Sequence, residues 1–123
     1  MTRIINSKEF QNEVLNSSDV VLIDFFAEWC KPCKMLAPAV EELNKEMTGK
    51  AKVFKVDVDK SGDIAQNYSI MGVPTVMIFK NGKDVYKMAG FQPKEVLKSK
   101  LIQYLEWKLE RKVNLLWLKR SEE

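Results

Sequence analysis

The chain has no histidine among its 123 residues. That absence removes Ser-His and Cys-His catalysis, and most zinc sites, in one step. Cysteine is nearly absent too. The two present cannot supply four-thiolate zinc within one chain. No stretch approaches the ~20 apolar residues that span a bilayer, so a membrane location is not expected. Excess charge of one sign is small: the formal net charge is +3, with no basic block, which speaks against nucleic acid as a partner. The opening residues, Met1-Thr2-Arg3-Ile4-Ile5-Asn6, do not lead from a basic region into a long apolar one. No export signal is therefore expected, and the cytoplasm, where thiols are kept reduced, is the expected compartment. What remains is 46% apolar and 30% charged, a balance that suits a single domain with a real core.

Both cysteines lie in one segment, Trp29-Cys30-Lys31-Pro32-Cys33. It follows the apolar run Val20-Val21-Leu22-Ile23-Asp24-Phe25-Phe26 and precedes a helical pattern. Two thiols at i and i+3 across a helix start sit one turn apart, close enough to form a disulfide and reopen it. A purely stabilising crosslink is the weaker reading, because so short a loop removes little unfolded-state entropy. An intermolecular metal half-site is weaker too, for want of other soft ligands.

Along the chain, Arg3-Ile4-Ile5 reads as a first strand, and Ser7 as the N-cap of a helix carrying Phe10, Val14 and Leu15 on one face. Val20–Phe26 reads as a strand buried on both faces. A helix is expected from Cys33 to Met47, with Met35, Leu36, Val40, Leu43 and Met47 inward, a kink at Pro38 and an end at Gly49. Ala51–Asp57 reads as a strand and Ser61–Tyr68 as a short helix. Thr75–Phe79 and Val85–Met88 read as strands joined by Asn81-Gly82, a strong hairpin signal. Pro93 opens a last helix carrying Val96, Leu97, Leu101, Ile102 and Leu105. The order β-α-β-α-β-α-β-β-α implies an α/β fold. Its mixed central sheet of about five strands has helices on both faces, with parallel early strands and an antiparallel final hairpin.

The segment Asp24-Phe25-Phe26-Ala27-Glu28-Trp29-Cys30-Lys31-Pro32-Cys33-Lys34 resembles the active-site segment of the thioredoxin family, and Val73-Pro74-Thr75 resembles its second signature. Asn81-Gly82 and Gly90 fall where that family has glycines. The resemblance covers about residues 1–105, the expected thioredoxin domain with the thioredoxin fold. It implies a general protein disulfide reductase acting through its redox-active disulfide. It implies no bound cofactor, since the thiols carry the electrons. A thioredoxin reductase and disulfide-containing proteins are the implied partners. A thiol oxidase or isomerase of the same fold is the alternative, and a redox-independent binding module another.

Cys30, at a helix start, is the expected nucleophile with a lowered pKa, and Cys33 the resolving thiol. Asp24 interrupts an apolar strand and is expected to be buried with a raised pKa. By resemblance it is the acid/base serving Cys33, with Lys55 as its neighbour. A water-exposed strand-end charge, and a solvated Lys55, are the competing readings. Lys31 departs from the family's usual glycine and should favour the thiolate modestly. Pro32 stiffens the helix entry and, by resemblance, helps set the redox poise. The resemblance also implies a cis Val73–Pro74 bond, with Pro74 against the disulfide and the Val73 backbone free to pair with an extended substrate. Trp29, Met71, Gly72, Val73, Gly90 and Phe91 should form an apolar docking patch. Ser69 stands where glycine is common in the family, and Phe91 where a small residue is.

Residues 106–123 run past the family's usual end as a C-terminal helical extension. Leu101, Leu105, Leu109, Val113 and Leu116 recur at helical spacing, while a single domain has no obvious place for Trp107 and Trp117. Self-association as a paired amphipathic helix, docking on a membrane surface or partner, and a tail without an evolved role all compete. Folding back as extra core is a further option.

Overall fold

The computed structural model describes residues 1–106. The readings of Trp107 to Glu123, self-association included, lie outside the described residues. In chain order the elements are β1 (Arg3–Ile4), α1 (Ser7–Phe10, continued by a π-helical turn over Gln11–Leu15), β2 (Val20–Phe26), α2 (Lys31–Glu46) and β3 (Lys52–Asp57), followed by α3 (Gly62–Asn67), β4 (Thr75–Lys80) and β5 (Lys83–Ala89). A last helix, α4, occupies 94–106 of the described residues.

The strands form one sheet in the order β1-β3-β2-β4-β5. β1 and β2 pair parallel to β3, while β4 runs antiparallel to β2 and β5 antiparallel to β4. This is the thioredoxin fold: a five-stranded mixed sheet between helices. β2 sits at the centre and is buried along its whole length, as a continuous apolar run requires.

Alternation along the strands divides the core in two. Val20 and Leu22 of β2, Val53 of β3, and Val76 and Ile78 of β4 meet Leu36, Val40 and Leu43 of α2 and Leu97 and Leu101 of α4. On the other face Val21, Ile23, Phe25, Val56, Met77 and Phe79 meet Phe10 of α1, Val14 of its π-helical turn and Ile64 of α3. Phe10, Tyr68 and Phe79 stack edge-on or tilted, with ring centroids 5.2–5.7 Å apart. Lys94 bridges Glu42 and Glu46 at 3.0 Å each and ties α4 to α2 from outside.

Several boundaries differ from those read in the sequence. Asn6, not Ser7, caps α1: its side chain accepts from the Glu9 N–H, and Glu9 returns a bond to the Asn6 N–H. This reciprocal capping box settles the choice between two good caps. α2 begins at Lys31 rather than Cys33, because Cys30 itself is the N-cap. Met35 is 60% exposed rather than inward, since the buried stripe of α2 runs Cys33, Leu36, Val40, Leu43 and leaves it outside. α2 ends at Glu46, ahead of Gly49, which occupies the following turn at φ +82°. Pro93 precedes α4, its carbonyl accepting from Val96 and Leu97.

The hairpin tip follows the sequence reading. Asn81 and Gly82 both have positive φ, 52° and 76°. A β-carbon on Gly82 would also run into the Leu15 carbonyl. Gly82→Ala therefore combines a strained backbone with a backbone collision, and should destabilise by about 2 kcal/mol. A urea midpoint equal to the parent's would contradict this.

Candidate active site

A short link, residues 27–30, joins the end of β2 to the start of α2, so the cysteine segment emerges at the carboxyl end of the central strand. Cys30 caps the helix with its side chain: the Cys33 N–H donates to Cys30 Sγ at 3.2 Å. Lys31 and Pro32 follow as the first helical residues and are exposed. Pro32 suits that position, because its missing N–H would be unpaired there in any case. Cys30 and Cys33 are joined as a disulfide with Cα atoms 5.2 Å apart. Both are almost covered, at 3% and 4% exposure, and pack with Phe26, Ala27, Val58 and Val73.

The second segment arrives from the loop before β4. The Val73–Pro74 peptide is cis, and the Val73 carbonyl oxygen lies 3.6 Å from Cys30 Sγ. Pro74 is buried, and its carbonyl accepts from the Gly90 N–H at 2.8 Å, which draws the turn after β5 to the same place. Around this centre Trp29 is 72% exposed, Met71 97% and Phe91 45%, with Gly72 exposed and Val73 and Gly90 half-buried. Exposed apolar side chains therefore flank covered sulfurs.

Asp24 lies between Leu22 and Phe26 on the face of β2 that turns toward α2. It is fully buried, and neither carboxylate oxygen has a hydrogen-bond partner. Burial pushes its pKa up to about 6, against a smaller opposing pull from Lys55. Lys55 is the register partner of Asp24 on β3. Its ammonium lies 4.4 Å from the Phe26 ring centroid. A cavity of about 260 Å³ runs from Lys55 past Phe26 and Ala27 to Cys33.

Sequence reasoning missed the support of Trp29. Its indole N–H donates to Asp59 at 2.9 Å. Asp57, buried at the end of β3, accepts from the Asp59 and Lys60 N–H groups and fixes that turn. The Asp-x-Asp run after a strand carries a turn signal of this kind, but nothing local in it points to a tryptophan 30 residues away. Among the described residues no group of three or more His, Cys, Asp or Glu is arranged to hold a metal, and no helix is long and apolar enough to cross a membrane.

The Thioredoxin family model matches residues 1–103. The chain belongs to the thioredoxin family. It is similar to the thioredoxin of Rickettsia felis, 44% identical over 97 residues, which is 79% of this chain and 92% of that protein. It is similar also to the thioredoxin of Staphylococcus aureus, 45% identical over 101 residues, or 82% of this chain and 95% of that protein. With thioredoxin kinship and a Cys-x-x-Cys pair at disulfide distance, the chain is a thiol–disulfide oxidoreductase.

Proposed function

We propose that the chain is a general protein disulfide reductase of the cytoplasm, with Cys30 as nucleophile and Cys33 as resolving thiol. One observation carries the assignment of roles. Cys30 Sγ is the side-chain cap of α2, held by the Cys33 N–H, and it faces the Val73 carbonyl amid exposed apolar side chains. Unpaired N–H groups and the helix dipole favour a thiolate there.

In the reduced chain the Cys30 thiolate attacks one sulfur of a target disulfide. The target bond breaks, a mixed disulfide forms at Cys30, and the released target thiolate takes up a proton. Cys33 then loses its proton and attacks Cys30 Sγ. The mixed bond breaks, the target leaves as a dithiol, and Cys30–Cys33 closes, two electrons having passed to the target. Asp24, whose raised pKa lets it exchange protons near neutrality, serves as acid/base for Cys33, and the cavity reaches from Cys33 to Lys55, the register partner of Asp24. A thioredoxin reductase returns two electrons to the disulfide, so no bound cofactor is required. Trp29, Met71, Gly72, Val73, Gly90 and Phe91 dock an extended target segment, which pairs with the Val73 backbone as an added strand. Pro74 closes one side of the disulfide. Lys31 and Pro32 tune the thiolate and the redox poise. The cytoplasm fits because both cysteines belong to the redox couple, leaving none for a structural disulfide.

The test is the reduction potential of the Cys30–Cys33 couple, by thiol trapping in defined redox buffers. A disulfide reductase should lie below the cytosolic glutathione poise, roughly −240 mV. A distinctly oxidising value would transfer the chain to the oxidase or isomerase reading and make Lys31 the first residue to change.

A further inference from the structure

Ile70 packs against the core on the α1 side and Val73 against the cysteines, but the middle of the docking segment has little packing of its own. Met71 is 97% exposed, and a β-carbon on Gly72 would meet nothing within 4 Å. Its position therefore depends on how its two ends are tied. Downstream, the Gly90 N–H holds Pro74, and Thr75 Oγ1 donates to the Gly72 carbonyl at 2.6 Å. Upstream, the chain leaves α3 through a turn in which Ser69 N–H bonds Gln66 O and Ile70 N–H bonds Ala65 O. Those two bonds form the motif that normally places glycine in the left-handed position. Here Ser69 occupies it, at φ +53°.

That strained turn is gripped from outside. Lys87 of β5 donates its ammonium to the carbonyls of both Tyr68, at 2.7 Å, and Ser69, at 3.1 Å. These are carbonyls at the C-terminal end of α3, where a cation is favoured. The β4–β5 ladder fixes Lys87, which pairs with Met77 three residues before Gly90. β5 and the residue that follows it thus hold both ends of the Ile70–Val73 segment, Lys87 by its side chain upstream and Gly90 by its backbone N–H downstream.

We infer that Lys87 is a positioning residue for protein disulfide docking: by clamping the Tyr68–Ser69 turn it sets the register of the Val73 backbone over Cys30. The inference rests on the docking reading above. Removing the ammonium loosens the upstream end, leaving it to the Ser69 and Ile70 N–H bonds and the packing of Ile70. Recognition of an extended protein target weakens, while attack on a small disulfide that needs no strand pairing is untouched.

The experiment compares Lys87→Met, Lys87→Arg, Ser69→Gly and the Ser69→Gly/Lys87→Met pair with the parent chain. Insulin, with dithiothreitol as reductant, is the protein disulfide; 5,5′-dithiobis(2-nitrobenzoate) is the small one. Lys87→Met should raise KM for insulin about fourfold at little cost in kcat, the loss of a partly screened charged hydrogen bond. Its rate with the small disulfide should equal the parent's. Arginine, which can donate to both carbonyls, should restore the insulin KM. Glycine at 69, which holds the left-handed turn unaided, should make the Lys87→Met effect smaller. Amide exchange should quicken at Ser69 and Ile70 and not along β4. An unchanged insulin KM, or equal losses on both disulfides, would overturn the inference while leaving the reductase reading intact. A parent chain that fails to reduce insulin would overturn both.

Discussion

Cys30→Ser is expected to reduce the rate of insulin disulfide reduction at least about a thousandfold, to the level of the reductant alone. A hydroxyl at position 30 keeps the cap of α2, since serine is itself a preferred N-cap, so the fold should survive. What disappears is the proposed nucleophile. Cys33→Ser should fail differently. Cys30 can still attack, but nothing resolves the product, and the chain should accumulate covalently bound to its target through Cys30. Non-reducing gels with mass spectrometry distinguish the cases: an adduct with Cys33→Ser, none with Cys30→Ser. Adducts trapped through Cys33 instead would reverse the assigned roles. The exposure figures favour neither sulfur, at 3% for Cys30 and 4% for Cys33. The proposed roles rest on the cap geometry instead, in which Cys30 Sγ receives the Cys33 N–H. A double serine variant that retained full biological function would favour the binding-module reading.

The redox segment was legible in the sequence because its chemistry is local. Two thiols one turn apart, a preceding tryptophan and an apolar strand all lie within fourteen consecutive residues, Val20 to Cys33. The sheet was legible for the same reason: Val20–Phe26 and the Asn81-Gly82 tip each carry their own signal. Misreadings came where one local signal competed with another. Asn6 and Ser7 are both good caps, and Glu9 decides between them only when counted from Asn6. Met35 and Leu36 are both apolar, but a helix starting at Lys31 can bury only the stripe through Leu36. Contacts that cross the fold were not legible at all. Asp59 reaches Trp29 over 30 residues, and Lys87 reaches Tyr68 over 19. No periodicity announces either, because a solvated lysine on an edge strand and a clamping one have the same local sequence.

Asp24→Asn should make the oxidised protein more stable at neutral pH, by up to about 3 kcal/mol. The sign follows from the direction of the shift. Burial raises the folded-state pKa of Asp24 from 3.8 to about 6, so between those values the folded chain holds a proton that the unfolded chain has released. Stability from this residue is therefore fully present below about pH 4, falls through the window, and is lost above about pH 6. The rise from 3.8 to about 6 sets the size, at about 1.4 kcal/mol per tenfold change in proton affinity. Asparagine does not ionise and escapes the penalty, less about 1 kcal/mol if its amide finds no partner. Denaturant unfolding across pH 3.5 to 8 should show parent and variant within about 1 kcal/mol at the acid end and diverging toward neutrality. A gap that does not change with pH would mean that Asp24 is not the titrating group. The same substitution should slow insulin reduction roughly tenfold near pH 7, less than a full general-base contribution because Cys33 can still ionise unaided. Gain of stability with loss of rate is the combination a proton-transfer role demands. A carboxylate kept only for packing would give the first without the second. The central strand buries a carboxyl with no hydrogen-bond partner on its α2-facing side, a cost that the proposed proton transfer to Cys33 would offset.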